Sequence, residues 1–110
     1  MLTSKVLDVL ENNFTTIEKS DNEWMLEWYS NAGEDMVEYV EGENDKDFVD
    51  HFFRLADDFD ADEHAEMWIE ARGKVAGVPQ TIRELIDDAD DIQAFLDNVY
   101  KELKTSVYED

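Results

Sequence analysis

Cysteine is absent from the 110 residues, proline occurs once, glycine four times and histidine twice. Without cysteine there is no disulfide scaffold, no thiolate zinc site and no cysteine nucleophile, a composition compatible with a reducing, cytoplasmic setting. With so little glycine and proline, no flexible linker divides the chain. No apolar run approaches the roughly 18 residues that a membrane span requires. The stretch MLTSKVLDVLENNF places acids too early for a signal-peptide core. Bases are scarce as well. Lys and Arg number 9 against 30 Asp and Glu, which leaves a formal charge of −21 at pH 7. Such a charge repels nucleic acid and anionic membranes, so neither is expected as a direct ligand.

What remains is apolar enough to fold. Hydrophobic residues make up 43% and aromatics 12%, outside the disordered range, and the length suits a single acidic helical domain over residues 1–110. Val6, Leu7, Leu10 and Phe14 fall at helical spacing behind Thr3 or Ser4 as cap. Phe14–Ile17 is β-branched and reads as a short strand. Asp21 then opens a second helical run with Trp24, Met25, Trp28 and Tyr29 on one stripe, stopped by Asn31-Ala-Gly33. Asp35–Glu41 has a strand's composition, and its partner is expected either in Phe14–Ile17, the one internal candidate, or in a second copy of the chain.

A third helix begins at Asn44 or Asp45 and carries Phe48, Val49, Phe52, Phe53, Leu55 and Ala56 inward. Asp60 and Glu63 form a capping-box pair for a fourth, whose apolar side is Ala65, Met67, Trp68 and Ala71. Arg72-Gly73 ends it, and a loop runs to Pro79. Ile82, Leu85, Ile86, Ala89, Ile92, Leu96, Val99, Tyr100, Leu103 and Val107 keep a heptad-like spacing, broken if Asp90 or Asp91 recaps a new helix. The expected fold is mostly α: a compact bundle of four to six helices with one short β element that could form a two-stranded ribbon.

The acids are concentrated. Residues 21–70 hold 18 of the 30 and only Lys46 and Arg54 as bases, a local charge of −16. A compact chain of this size is roughly 34 Å across, a length over which duplex DNA carries about 20 phosphates. Like charges one helical turn apart each cost a few tenths of a kcal/mol. Solubility asks for a net charge of only about 2–8. A basic partner accounts for the excess; the alternative is that the chain is one of many acidic small proteins whose charge is merely solvated. Adaptation to brine is a second account of 16 Asp and 14 Glu, but the full set of 6 Phe, 3 Trp and 4 Tyr suits a core built for ordinary salt.

Catalytic patterns are missing. Asp58-Phe-Asp60-Ala-Asp62 opens like a calcium loop, but Glu63 and Ile69 stand where the turn glycine and the closing bidentate Glu belong. His51 and His64 are too few for a zinc site, there is no H-E-x-x-H or G-x-S-x-G, and His64 reads as a lone surface histidine. Neither a cofactor nor a metal is expected.

The stretches WMLEWYSNAGED (Trp24–Asp35), DEHAEMWIEARG (Asp62–Gly73) and GVPQTIRELIDDADDI (Gly77–Ile92) resemble a group of short acidic uncharacterised proteins carried on plasmids, conjugative elements and phages of gut bacteria. In charge and size, though in no motif, the chain is similar to DNA-mimic antirestriction and anti-CRISPR proteins. The resemblance implies a mobile-element setting in which an inhibitor of host nucleic-acid enzymes is useful.

The expectation is therefore a non-enzymatic DNA-mimic-type inhibitor, monomer or homodimer, that binds a basic DNA- or RNA-binding enzyme. The binding residues expected are Glu23, Glu27, Glu34, Glu38, Glu41, Glu43, Asp57, Asp58, Asp60, Asp62, Glu63, Glu66 and Glu70. The alternative is an acidic helical adaptor or homodimer that binds a protein through its Trp stripe or heptad seam. A third class, a hydrolase using acid pairs, requires a concave pocket with a carboxyl of raised pKa.

Overall fold

Between residues 16 and 41 the apolar side chains that turn inward recur at every second position, the period of a strand. The computed structural model describes residues 1–31, 33–71 and 81–108. Its elements run α1 (Ser4–Asn13), β1 (Thr16–Ser20), β2 (Glu23–Tyr29), β3 (Asp35–Glu41), α2 (Asp45–Asp58), α3 (Ala61–Ala71) and α4 (Ile82–Tyr108). The strands form one antiparallel sheet in the order β1-β2-β3. The fold is thus α+β, four described helices with a three-stranded meander, and not the mostly α bundle with one short β element expected above.

Residues 21–29, expected as a helix, form a turn at Asp21 and Asn22 and then the central strand Glu23–Tyr29. Trp24 and Trp28 are four apart, a spacing that puts them on one side of a helix and of a strand alike. In β2 they share the inner face with buried Leu26, while Met25 and Tyr29 go to the opposite face. The decisive term is pairing. β3 needs a neighbour for its backbone, and β2 supplies it in the register Glu23↔Glu41 to Tyr29↔Asp35. The expected partner, Phe14–Ile17, contributes only its end to β1, which pairs with the other edge of β2, as in Ile17↔Leu26. Phe14 instead caps α1 and is buried.

The inner sheet face closes on α4. Trp28 stacks on Phe95 at a centroid distance of 5.0 Å, and Phe14 meets both rings edge-on at 5.5 Å. Phe48, Val49 and Phe52 from α2 and Val6 and Leu10 from α1 complete one core with Ile92, Leu96, Val99 and Leu103 of α4. From Ala89 to Leu103 the heptad seam is largely consumed inside the domain, and α1, α2 and α3 all pack along α4. Not every expected core position is inside: Phe53, Met67, Ile82 and Ile86 are exposed.

Local signals fix the helix ends. The Asn44 side chain accepts the Asp47 amide at 3.0 Å and starts α2, and Asp60 accepts the Glu63 amide at 3.1 Å and starts α3. A full capping box opens α4, with Thr81 Oγ1 accepting from the Glu84 amide and Glu84 returning the bond to the Thr81 amide, each at 3.1 Å. The Asp87–Asp91 run does not break α4, which is continuous through it. Gly42 permits the turn from β3 into α2, because a Cβ there would lie 2.8 Å from the Phe48 backbone. The expected end of α3 at Arg72-Gly73 and the loop to Pro79 lie outside the described residues.

The molecule measures 45 × 26 × 20 Å with a Cα radius of gyration of 15.1 Å, longer than the compact sphere assumed from chain length. No described helix is long and apolar enough to cross a membrane.

Candidate functional site

Each expected binding acid has a definite place. Glu23, Glu27 and Glu41 lie on the open face of the sheet, with Glu23 directly across from Glu41. They rim Met25, Tyr29, Val37 and Tyr39, of which Tyr29 and Tyr39 are 59% and 54% exposed. Glu43 sits in the turn before α2. Asp57 and Asp58 end α2, Asp60 caps α3, and Asp62 and Glu63 occupy its first turn. The last three acids meet the favourable end of a helix dipole, whereas Asp57 and Asp58 meet the unfavourable one. Glu66 and Glu70 follow on α3, exposed and one turn apart.

Glu34 and Glu38 are turned inward. Glu34 is only 9% exposed at its side chain, and its carboxylate takes His64 Nε2 at 3.0 Å. Burial raises the Glu34 pKa, His64 opposes that shift, and the neighbouring Asp88 adds to it. Glu38 shares the inner sheet face with Leu26, and burial raises its pKa too.

His64 is accordingly a half-buried anchor and not the lone surface residue expected. It belongs to a polar cluster that ties the β2–β3 connection to two helices. Ser30 Oγ donates to the buried Asp88 at 3.1 Å and accepts the Glu34 amide at 3.0 Å. The Ser30 hydroxyl proton is committed to Asp88 and His64 to Glu34, so the three do not form a nucleophile–base pair. No three His, Asp or Glu among the described residues are arranged to hold a metal ion. At the calcium-like stretch, Asp60 is used as a cap.

The acids are hardly neutralised. Among the described residues, Lys46, Arg54, Arg83, Lys101 and Lys104 form no ion pair with a described acid, and Lys19 lies over the Trp24 ring, 5.5 Å from its centroid. Residues 72–80 and 109–110 hold two bases and two acids, so the described residues carry the full −21.

A groove that sequence reasoning missed runs beside β3. Its wider part, about 490 Å³, is lined by Glu38, His51, Arg54, Leu55, Asp58 and Phe59. His51 and Arg54 also line a second hollow of about 340 Å³ with Glu41, Glu43, Asp47 and Asp50. His51 Nδ1 accepts the Glu41 amide at 2.9 Å, so α2 reaches the sheet edge at Glu41. Nothing in the sequence marks His51 for this, because the contact depends on where α2 docks.

The surfaces of the alternative reading are mostly used within the chain. Trp28 is buried, Trp24 and Trp68 are half-buried, and Leu85, Ala89, Ile92, Leu96, Val99 and Leu103 are buried, whereas Ile82 and Ile86 of the same seam are exposed. Comparison with known protein families, curated proteins and solved structures gives no match in any of the three.

Proposed function

We propose that this chain is a non-enzymatic inhibitor of the DNA-mimic type, binding the nucleic-acid channel of a basic restriction, CRISPR or similar enzyme. One observation carries the reading. A charge of −21 along 45 Å is one net negative charge per about 2.1 Å, against one per ~1.7 Å of duplex DNA. The elongation dilutes the density below that expected for a sphere, but keeps it within about a quarter of the duplex value. Absence of ion pairs with described acids at Lys46, Arg54, Arg83, Lys101 and Lys104 leaves most of that field uncompensated. A cationic channel then gains steering, fast association and counterion release from the same surface. The mobile-element setting expected from the sequence, which no comparison supports, is the reason for naming host nucleic-acid enzymes as the target.

A displacement assay tests it. Labelled duplex is bound to representative restriction and CRISPR nucleases, and the protein is titrated in at about 50 mM and about 300 mM salt. Displacement at low salt that fades steeply at high salt is expected. Reversing Asp57, Asp58 and Asp62 to Lys should weaken it by about tenfold or more while leaving the Asp60 cap intact. Failure to displace duplex from any member at low salt rejects the reading.

A further inference from the structure

The free edge of β3 has a definite hydrogen-bonding polarity. Gly42 donates to Asn22 O and Ser30 donates to Glu34 O, which fixes the even-numbered residues of β3 as those bonded to β2. The amides and carbonyls of Val37, Tyr39 and Glu41 therefore point away from the sheet. His51 takes the Glu41 amide, but those of Val37 and Tyr39 have no partner among the described residues. Glu38, the residue between them, lines the groove between β3 and α2. An open sheet edge next to a helix accepts a strand: backbone bonds supply affinity and flanking pockets select side chains.

The charge selects the occupant. Glu38, Glu41, Glu43, Asp47, Asp50 and Asp58 line the two hollows against the single basic residue Arg54. Edge-to-edge pairing with a second copy would bring these acids against themselves, which disfavours self-assembly. Leu55 and Phe59 give the groove an apolar floor. We infer that the β3 edge and the α2 groove bind an extended basic segment of a partner protein as a fourth strand, with Lys or Arg alternating with apolar residues. The inference rests on the proposed function for the sign of the partner and on the backbone for the mode of binding. It adds a point of recognition at the sheet edge to the acids of α2 and α3.

The probe is a labelled peptide of alternating lysine and valine, seven residues long to match β3. Its counterparts are a fully N-methylated version and a glutamate–valine version. Fluorescence polarisation and amide NMR shifts are read together. Binding of the lysine peptide with shifts at Val37 and Tyr39 is expected. N-methylation, which keeps every charge but removes the donors, should weaken it by about tenfold or more. Val37→Pro removes one outward donor while sparing the β2 ladder and should weaken it similarly; circular dichroism confirms that this variant is folded. Equal binding of the N-methylated peptide, binding of the glutamate peptide, or silent Val37 and Tyr39 amides overturns the inference. If the lysine peptide fails to bind while duplex displacement succeeds, the edge is wrong and the inhibitor reading stands. If both fail, both are wrong.

Discussion

The Nδ1 atom of His51 accepts the amide of Glu41 at 2.9 Å, so a helix side chain finishes the hydrogen bonding of a sheet edge. This requires an unprotonated Nδ1, with any ring proton on Nε2. Two residues earlier the same edge is open at Tyr39. His51→Ala should therefore lower stability by about 1 kcal/mol and speed hydrogen exchange at Glu41, leaving exchange at Val40 much less affected. Equal acceleration along the whole of β3 would mean that the histidine stabilises the strand globally.

Trp28 and Phe95 join the sheet to α4 by a stacked pair tilted only 23°. Trp28→Ala should cost about 3–5 kcal/mol, measured by chemical denaturation. A double-mutant cycle with Phe95→Leu should recover a coupling of about 0.5–1.5 kcal/mol beyond the loss of area. Trp24→Ala should cost less, because Trp24 is half-buried near the sheet margin.

Glu23 and Glu41 face each other across β2 and β3, and like charges in that position repel. Glu23→Lys should raise stability by about 0.2–1 kcal/mol, read as a higher midpoint of unfolding at low salt, and the gain should shrink as salt is added.

Burial raises the pKa of Glu34 and of Glu38 above the ordinary 4.5. Between 4.5 and those raised values the folded chain holds more protons than the unfolded one, so stability is lost as pH rises through that window. Mutual repulsion of the other carboxylates acts in the same direction. The melting temperature should therefore be higher at about pH 5 than at about pH 8. Glu34→Gln, which keeps an acceptor for His64 without a titrating group, should flatten the profile. A profile that falls on acidification to pH 5 would contradict the burial of these two groups.

The helix caps at Asn44 and Asp60 were legible because a cap is a bond between neighbours three residues apart. The same locality made the start of α2 and the strand at Asp35–Glu41 readable. Residues 21–29 were not, since the Trp24–Trp28 spacing satisfies both periods and only pairing with β3 separates them. Of the expected site, the exposed acids on β2, β3, α2 and α3 could be named from composition. The inward turn of Glu34 and Glu38 could not, because it follows from distant contacts with α3 and with the core-facing side of the sheet.

By itself the sequence determined the sign and size of the charge, the absence of thiol chemistry and the local punctuation of the helices. Those properties depend on composition or on neighbours a few residues apart. Tertiary structure alone decided that the central segment is a strand and that α4 runs unbroken past a buried Asp88. It also put the free edge of β3 beside an acidic helix. Each of these is settled by partners far along the chain, as when Ser30 binds Asp88 across 58 positions, and short-range periodicity carries no record of such distant pairings.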